Sequence, residues 1–193
     1  MRLGRILLIT GNPGKALEFQ SLLPGVQLDH RSIDLIEIQS LSVQEVGHHK
    51  TIEALSKLSA ADTQAYDAVL TDDTSLSFDA FDGGFPGSLI KFCLDALGLD
   101  GLVKLTEGKV STALARCCLS LGLTQSKEVI QFEGQVQGKI LPAQGTTGFG
   151  WDPIFYPNGS DLSYGQMSAA QKDSTSHRFQ AAKQLTAWLN QEQ

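Results

Sequence analysis

Residues 6–9 read Ile-Leu-Leu-Ile, an unbroken branched apolar run that ends in the turn formers of "TGNPGK". Such a run marks a strand buried on both faces, because a half-exposed strand alternates apolar with polar side chains. Residues 15–23 then set Leu17, Leu22 and Leu23 among polar neighbours, and "PG" at Pro24 and Gly25 stops the pattern. That predicts a helix, so the chain opens as strand, loop, helix.

Further along, helical patterns again sit beside strand patterns. Residues 27–32 suit a second strand, and "IDLIEIQS" follows without a clear turn. Val46, Ile52, Leu55 and Leu58 fall at helical spacings in one long helix over 43–61, with Ser42 as N-cap and Glu45 completing an S-x-x-E box. "AVLTDD" is another buried run, and Asp72 and Asp73 stand where it ends. "LIKFCLDALG" and "GLVKL" predict two short helices separated at Gly98 and Asp100. Residues 111–121 and 128–140 suit strands; in the second, Ile130, Phe132, Gly134 and Val136 alternate with polar residues, which suggests antiparallel pairing with one wet face. "PAQGTTGFGWDPIFYPNG" is too rigid and too apolar for a solvated linker. The end, "SHRFQAAKQLTAWLNQ", predicts a helix capped by Ser174 or Ser176 that offers Phe179, Leu185, Trp188 and Leu189 to the core.

A length of 193 residues with 41% apolar and 19% charged residues fits one globular domain. The net charge of −6, with Lys and Arg scattered, argues against broad contact with a nucleic acid, though not against a small polyphosphate held by a few converging cations. Cys93, Cys117 and Cys118 are an odd set with no CxxC spacing, expected to be reduced thiols in structural roles, the adjacent pair pointing to opposite faces of a strand. No apolar run approaches the roughly 20 residues that cross a bilayer. The first residues do not read as a signal peptide, so a cytoplasmic protein with no membrane partner is expected.

A P-loop needs G-x-x-x-x-G-K-[ST]; here Gly11 and Gly14 are too close together and Ala16 replaces the hydroxyl. What survives is an anion-favouring helix N-terminus to which Lys15 adds a full charge, while Thr10 and Asn12 can donate further hydrogen bonds. Asp72 and Asp73 beside "DGGFPG" suit a Mg2+ held by one or two carboxylates plus substrate phosphates, or else a turn former; in a continuous strand they face opposite ways and only one enters a site directly. Taken locally, Glu37 is an exposed glutamate and Lys50 a solvated charge. His30, His48 and His49 lack the spacing of a zinc site. In "FGWDPIF", Phe149 and Trp151 with Asp152 suit either recognition of a nucleobase or a loop plug packed into the core. Lys172, His177 and Arg178 gather at a predicted helix N-terminus, against the dipole, which hints at an anionic or carbonyl-rich ligand.

The order "TGNPGKALE", "TDDTSLSFDAFDGGFPG", "FGWDPIFYPNG", "SHRFQAAKQL" resembles the inosine triphosphate pyrophosphatase family over nearly the whole chain. The resemblance implies an elongated α/β fold, residues 1–193 forming a single domain of two lobes around a long twisted mixed β-sheet, with the active-site cleft between the lobes and a homodimer as the assembly. It implies Mg2+-dependent hydrolysis of non-canonical purine nucleoside triphosphates (ITP, dITP, XTP) to the monophosphate and pyrophosphate. By position, Thr10, Asn12 and Lys15 match the triphosphate motif, and Lys50, Thr74 and Lys91 match the family's substrate site. Glu37 and Asp73 match its metal ligands, with Asp73 also the water-activating base, and Phe149, Trp151, Asp152, Lys172, His177 and Arg178 match the purine pocket. "SLIKFCLDALG" resembles the eukaryotic and archaeal branch, and "DAFDGG" is one residue longer than the usual loop. Two other readings stand beside this one: a Maf-like pyrophosphatase for modified pyrimidine nucleotides, and a module that binds nucleotides without turnover.

Overall fold

The structure, a computed structural model, describes residues 3–191. The opening unit forms as expected. β1 (Arg5–Ile9) leads into α1 (Pro13–Leu22), and β2 (Gln27–Arg31) returns parallel to β1. α2 (Val43–Ser56), α3 (Ala60–Ala65) and β3 (Ala68–Phe78) follow, and β3 pairs with the other edge of β1, again parallel. β4 (Pro86–Gly87), α4 (Ile90–Lys104), β5 (Thr112–Leu123), β6 (Val129–Ile140), β7 (Phe155–Pro157), α5 (Ala169–Thr175) and α6 (His177–Gln191) complete the order. The result is one mixed seven-stranded sheet, β2-β1-β3-β5-β6-β7 with β4 on β3, in which β3, β5, β6 and β7 pair antiparallel.

Two local expectations are corrected and one open choice is decided. The helix over 43–61 is two helices, because Ser59 and Asp62 make a reciprocal capping box that starts α3 three residues after α2 has ended at Ser56. At the start of α2, Ser42 accepts from the Glu45 amide, but the Glu45 carboxylate takes the Ser40 hydroxyl instead of closing the box. The last helix is preceded by α5, itself boxed by Ser168 and Gln171, and Ser176 rather than Ser174 caps α6 through the Phe179 amide. The break expected at Gly98 is present: its φ of 66° and ψ of 179° divide α4 into two helical pieces.

β3 organises the interior. The strand's pleat sends alternate side chains to opposite faces. Ala68 and Leu70 join a core with Ile6, Leu8, Phe19 and α6, whereas Leu76 and Phe78 join another with Ile154, Phe155 and Tyr164. On the other face Val69 packs with Leu7, Ile9 and the α2 residues Ala54 and Leu55. Between the two large clusters lies the polar middle of the strand, Asp72, Asp73 and Thr74, flanked on both sides by apolar packing that fixes its place. Cys117 and Cys118, on β5 opposite Thr74 and Asp73, are buried and free. The alternation expected for β6 is seen in buried Phe132, Gly134 and Ile140.

Candidate active site

Asp72 and Asp73 stand on opposite faces of β3, and each gathers a different set of cations. Lys50, near the middle of α2, donates from Nζ to Asp73 Oδ1 at 2.8 Å and to Glu37 Oε1 at 2.6 Å. α2 comes this close to the sheet because Gly47 has no side chain: a Cβ there would meet Ser120 Oγ at 2.7 Å. The Thr51 and Thr71 hydroxyls, 2.7 Å apart, tie the same helix to β3. The irregular segment that carries Glu37 is pinned to α2, where Glu53 accepts from the Ile36 amide at 2.6 Å and Lys57 bonds the Asp34 carbonyl. Glu37, unremarkable in its local sequence, is thereby brought to Asp73 through a shared ammonium group.

The electrostatics follow from burial and partners. Burial pushes the Asp73 carboxyl above its ordinary range even with Lys50 bonded to it, and its Oδ2 is buried with no hydrogen-bond partner. Burial also works against the charged form of Glu37, but Lys50, helped by Lys91 and Lys15, holds it below the ordinary carboxylate value. Lys50 itself is held above the usual lysine value: Asp73 and Glu37 outweigh desolvation. Lys91, exposed in the first turn of α4, is placed near enough to act on Glu37.

On the other face, Asp72 is fully enclosed. It accepts from Arg178 Nε at 2.9 Å and from the Cys117 thiol at 3.2 Å, and Lys15 Nζ lies 3.3 Å from Oδ2 while donating to the Asp72 carbonyl at 2.8 Å. Desolvation opposes its charge, yet Arg178 and Lys15 keep the carboxyl well below the usual range. Burial, then the negative charge of Asp72, drives the Cys117 thiol well up, so it stays protonated and donates. The half-buried Thr74 shares the Asp72 face of the strand.

The network continues to the loop before β7. Arg178 bonds Glu18, Glu18 accepts from Lys172 at 2.8 Å, and Lys172 donates to Asp152 at 2.7 Å, whose Oδ2 also accepts from the Phe149 amide at 2.7 Å. Lys172 lies 4.6 Å above the centre of the Phe149 ring. Trp151, 8% exposed, stacks on His177 at 5.4 Å and meets Phe155 edge-on, so of the two readings of this loop the packed one describes Trp151. The apparent clash of cations with a helix N-terminus has an internal answer: Lys172 lies in the last turn of α5, and the anions facing Arg178 are Asp72 and Glu18. His177 is buried, held neutral by desolvation and then by Arg178 and Lys172, with both ring nitrogens unpartnered.

At the opening loop, the Asn12, Gly14 and Lys15 amides are already used within the loop. Asn12 Oδ1 accepts from Gly14 and Lys15 at 2.9 and 3.3 Å, and Thr10 Oγ1 accepts from the Asn12 amide at 3.1 Å. The Asn12 amide group and the two hydroxyls on this side, Thr10 and Thr74, remain as donors beside Lys15. Glu18 was missed by sequence reasoning, although it lies in "TGNPGKALE", three residues after Lys15 and so on the same face of α1.

Residues 6–188 match the model of the Ham1 family. An inosine triphosphate pyrophosphatase of Puccinia graminis f. sp. tritici is 38% identical over 190 residues, 94% of each chain. The Ham1 protein of Staphylococcus aureus superposes with a TM-score of 0.77 at 28% identity, over 98% of this chain and all of that one. A dITP/XTP pyrophosphatase of Mycobacterium abscessus gives 0.69 at 26% identity, over 94% and 98%.

Proposed function

This chain belongs to the Ham1 family and is a hydrolase of acid anhydrides, and from that premise we propose that it hydrolyses ITP, dITP and XTP between the α and β phosphates, releasing a nucleoside monophosphate and pyrophosphate and so clearing damaged purines from the nucleotide pool. The observation that carries the reading is the convergence of Glu37 and Asp73 on a single cation, the Lys50 ammonium, beside a buried carboxylate oxygen that has no partner. The two apolar clusters at the ends of β3 support one domain of two lobes with the site between them.

The donor set fits Mg2+. Among the described residues no three His, Cys, Asp or Glu side chains cluster as a complete metal cage. Mg2+ characteristically takes one or two carboxylates and completes its shell with phosphates and water, which matches Glu37 and Asp73. When bound there, the ion would supply charge neutralisation to the triphosphate. Lys15, Lys50 and Lys91 stabilise negative charge that builds on the phosphate oxygens, and Asp73 Oδ2 accepts a proton from the attacking water. A carboxyl raised by burial is a stronger base than an exposed one, which suits that task. Phe149 offers a ring face to the purine. Lys172 and Arg178, each already held by Glu18 and by Asp152 or Asp72, direct their remaining N–H groups toward a 6-oxo group, which adenine's donating amino group could not accept.

Assay of pyrophosphate released from ITP, ATP and UTP with Mg2+ tests this. ITP is expected to be turned over far faster than the other two, and Asp73→Asn to keep the fold by circular dichroism while losing at least about 100-fold in kcat. Stoichiometric binding of ITP with no pyrophosphate, preference for UTP, or full activity of the Asp73 variant would contradict the proposal.

A further inference from the structure

The geometry points to Asp72, on the face of β3 turned away from Glu37 and Asp73, as a positioning residue that holds the phosphate-side cation Lys15 and the base-side cation Arg178 together. The inference rests on the function proposed above and adds to it a residue that touches neither metal nor substrate.

Lys15 comes from α1 and Arg178 from α6, and both reach the Asp72 carboxylate. Like charges brought together in a buried place repel strongly, so the pair needs an anion between them. Asp72 is that anion: Arg178 Nε at 2.9 Å and Lys15 Nζ at 3.3 Å share the single oxygen Oδ2, while the Cys117 thiol occupies Oδ1. Its side chain is 1% exposed, so water screens these contacts little. Arg178 then passes the constraint to Glu18, and through Lys172 to Asp152 and the Phe149 amide. One carboxylate therefore sets the spacing between the phosphate and purine ends of the groove. The pleat that turns Asp73 toward Glu37 excludes Asp72 from that cluster.

Asp72→Asn preserves shape and removes the charge. Lys15 and Arg178 are expected to separate, raising KM for ITP about 10-fold or more and lowering the ITP-to-ATP ratio of kcat/KM, while kcat falls by a smaller factor than KM rises, through the displaced Lys15, and the Mg2+ concentration for half-maximal rate stays at the wild-type value. Asp72→Glu, which restores the charge but moves it one methylene, is expected to keep most of the ITP-over-ATP preference while raising KM for ITP by a larger factor than it lowers kcat; where the Asn variant does not fold, that pattern in the Glu variant carries the same reading. A fall in kcat at unchanged KM, a shift in the Mg2+ requirement, or a lowered melting temperature with unaltered kinetics would each overturn the inference alone. Wild-type protein that releases no pyrophosphate from ITP would instead sink the functional reading and the inference with it.

Discussion

His177 is held between the rings of Trp151 and Tyr164, at 5.4 and 6.1 Å, with neither nitrogen partnered. Its neutrality has a consequence for stability. The unfolded chain takes up a proton at His177 near the ordinary value of 6.5, whereas the folded chain binds it only well below that. Stability from this group is therefore complete above about pH 6.5 and falls as pH drops, by about 1.4 kcal/mol per pH unit. Asp73 and Asp152, whose carboxyls burial raises, work in the opposite direction between their unfolded and folded values. The difference between wild type and His177→Gln isolates the histidine: urea unfolding between about pH 7.5 and 5.5 is expected to show a shallower loss of stability in the variant. Equal pH slopes in the two proteins would contradict the buried neutral imidazole. At this scale the sequence was least informative. Glu37 looks like any exposed glutamate until Lys50 and Asp73 are seen beside it, and Glu18 acquires its role only from Lys172 and Arg178 at the far end of the chain.

The helices are placed by how closely they approach the sheet. α6 lies directly on β6 at Gly134, where an added Cβ would come within 2.0 Å of the His177 carbonyl oxygen and 2.6 Å of the Ala181 amide. These are backbone atoms of a helix start and cannot rotate away. Gly134→Ala is expected to destabilise the fold by about 1–3 kcal/mol in urea unfolding and to weaken ITP binding, because the shift it forces begins at His177 and Arg178. An unchanged midpoint would show that α6 is seated more loosely than its packing indicates. Strands and long helices were legible, since burial on one or two faces imprints a period on the sequence. The short helices α3 and α5 were not, because six or seven residues hold too little apolar period to register; their capping boxes at Ser59 and Ser168 were the available signal. The helix overran past Ser56 because Leu58 kept the period going after the backbone had turned.

Across the whole molecule, β3 runs through two apolar clusters and carries its acids in the gap between them. That arrangement explains why ordered motifs scattered from Thr10 to Arg178 were readable as one site: a single strand collects α1, α2 and α6 around two adjacent residues. What the motifs do not encode is which acid faces which helix, and this the register of β3 on β5 decides. The central claim is that Glu37 and Asp73 together grip a divalent ion on the α2 face of that strand. The direct measurement is the anomalous scattering of Mn2+ in crystals grown with an ITP analogue whose α–β bridge is an imido group. The expected result is a peak bonded to both the Asp73 and Glu37 carboxylates and to the analogue's phosphates; a peak on the Asp72 face of β3, or one bonded to phosphates alone, would contradict the account.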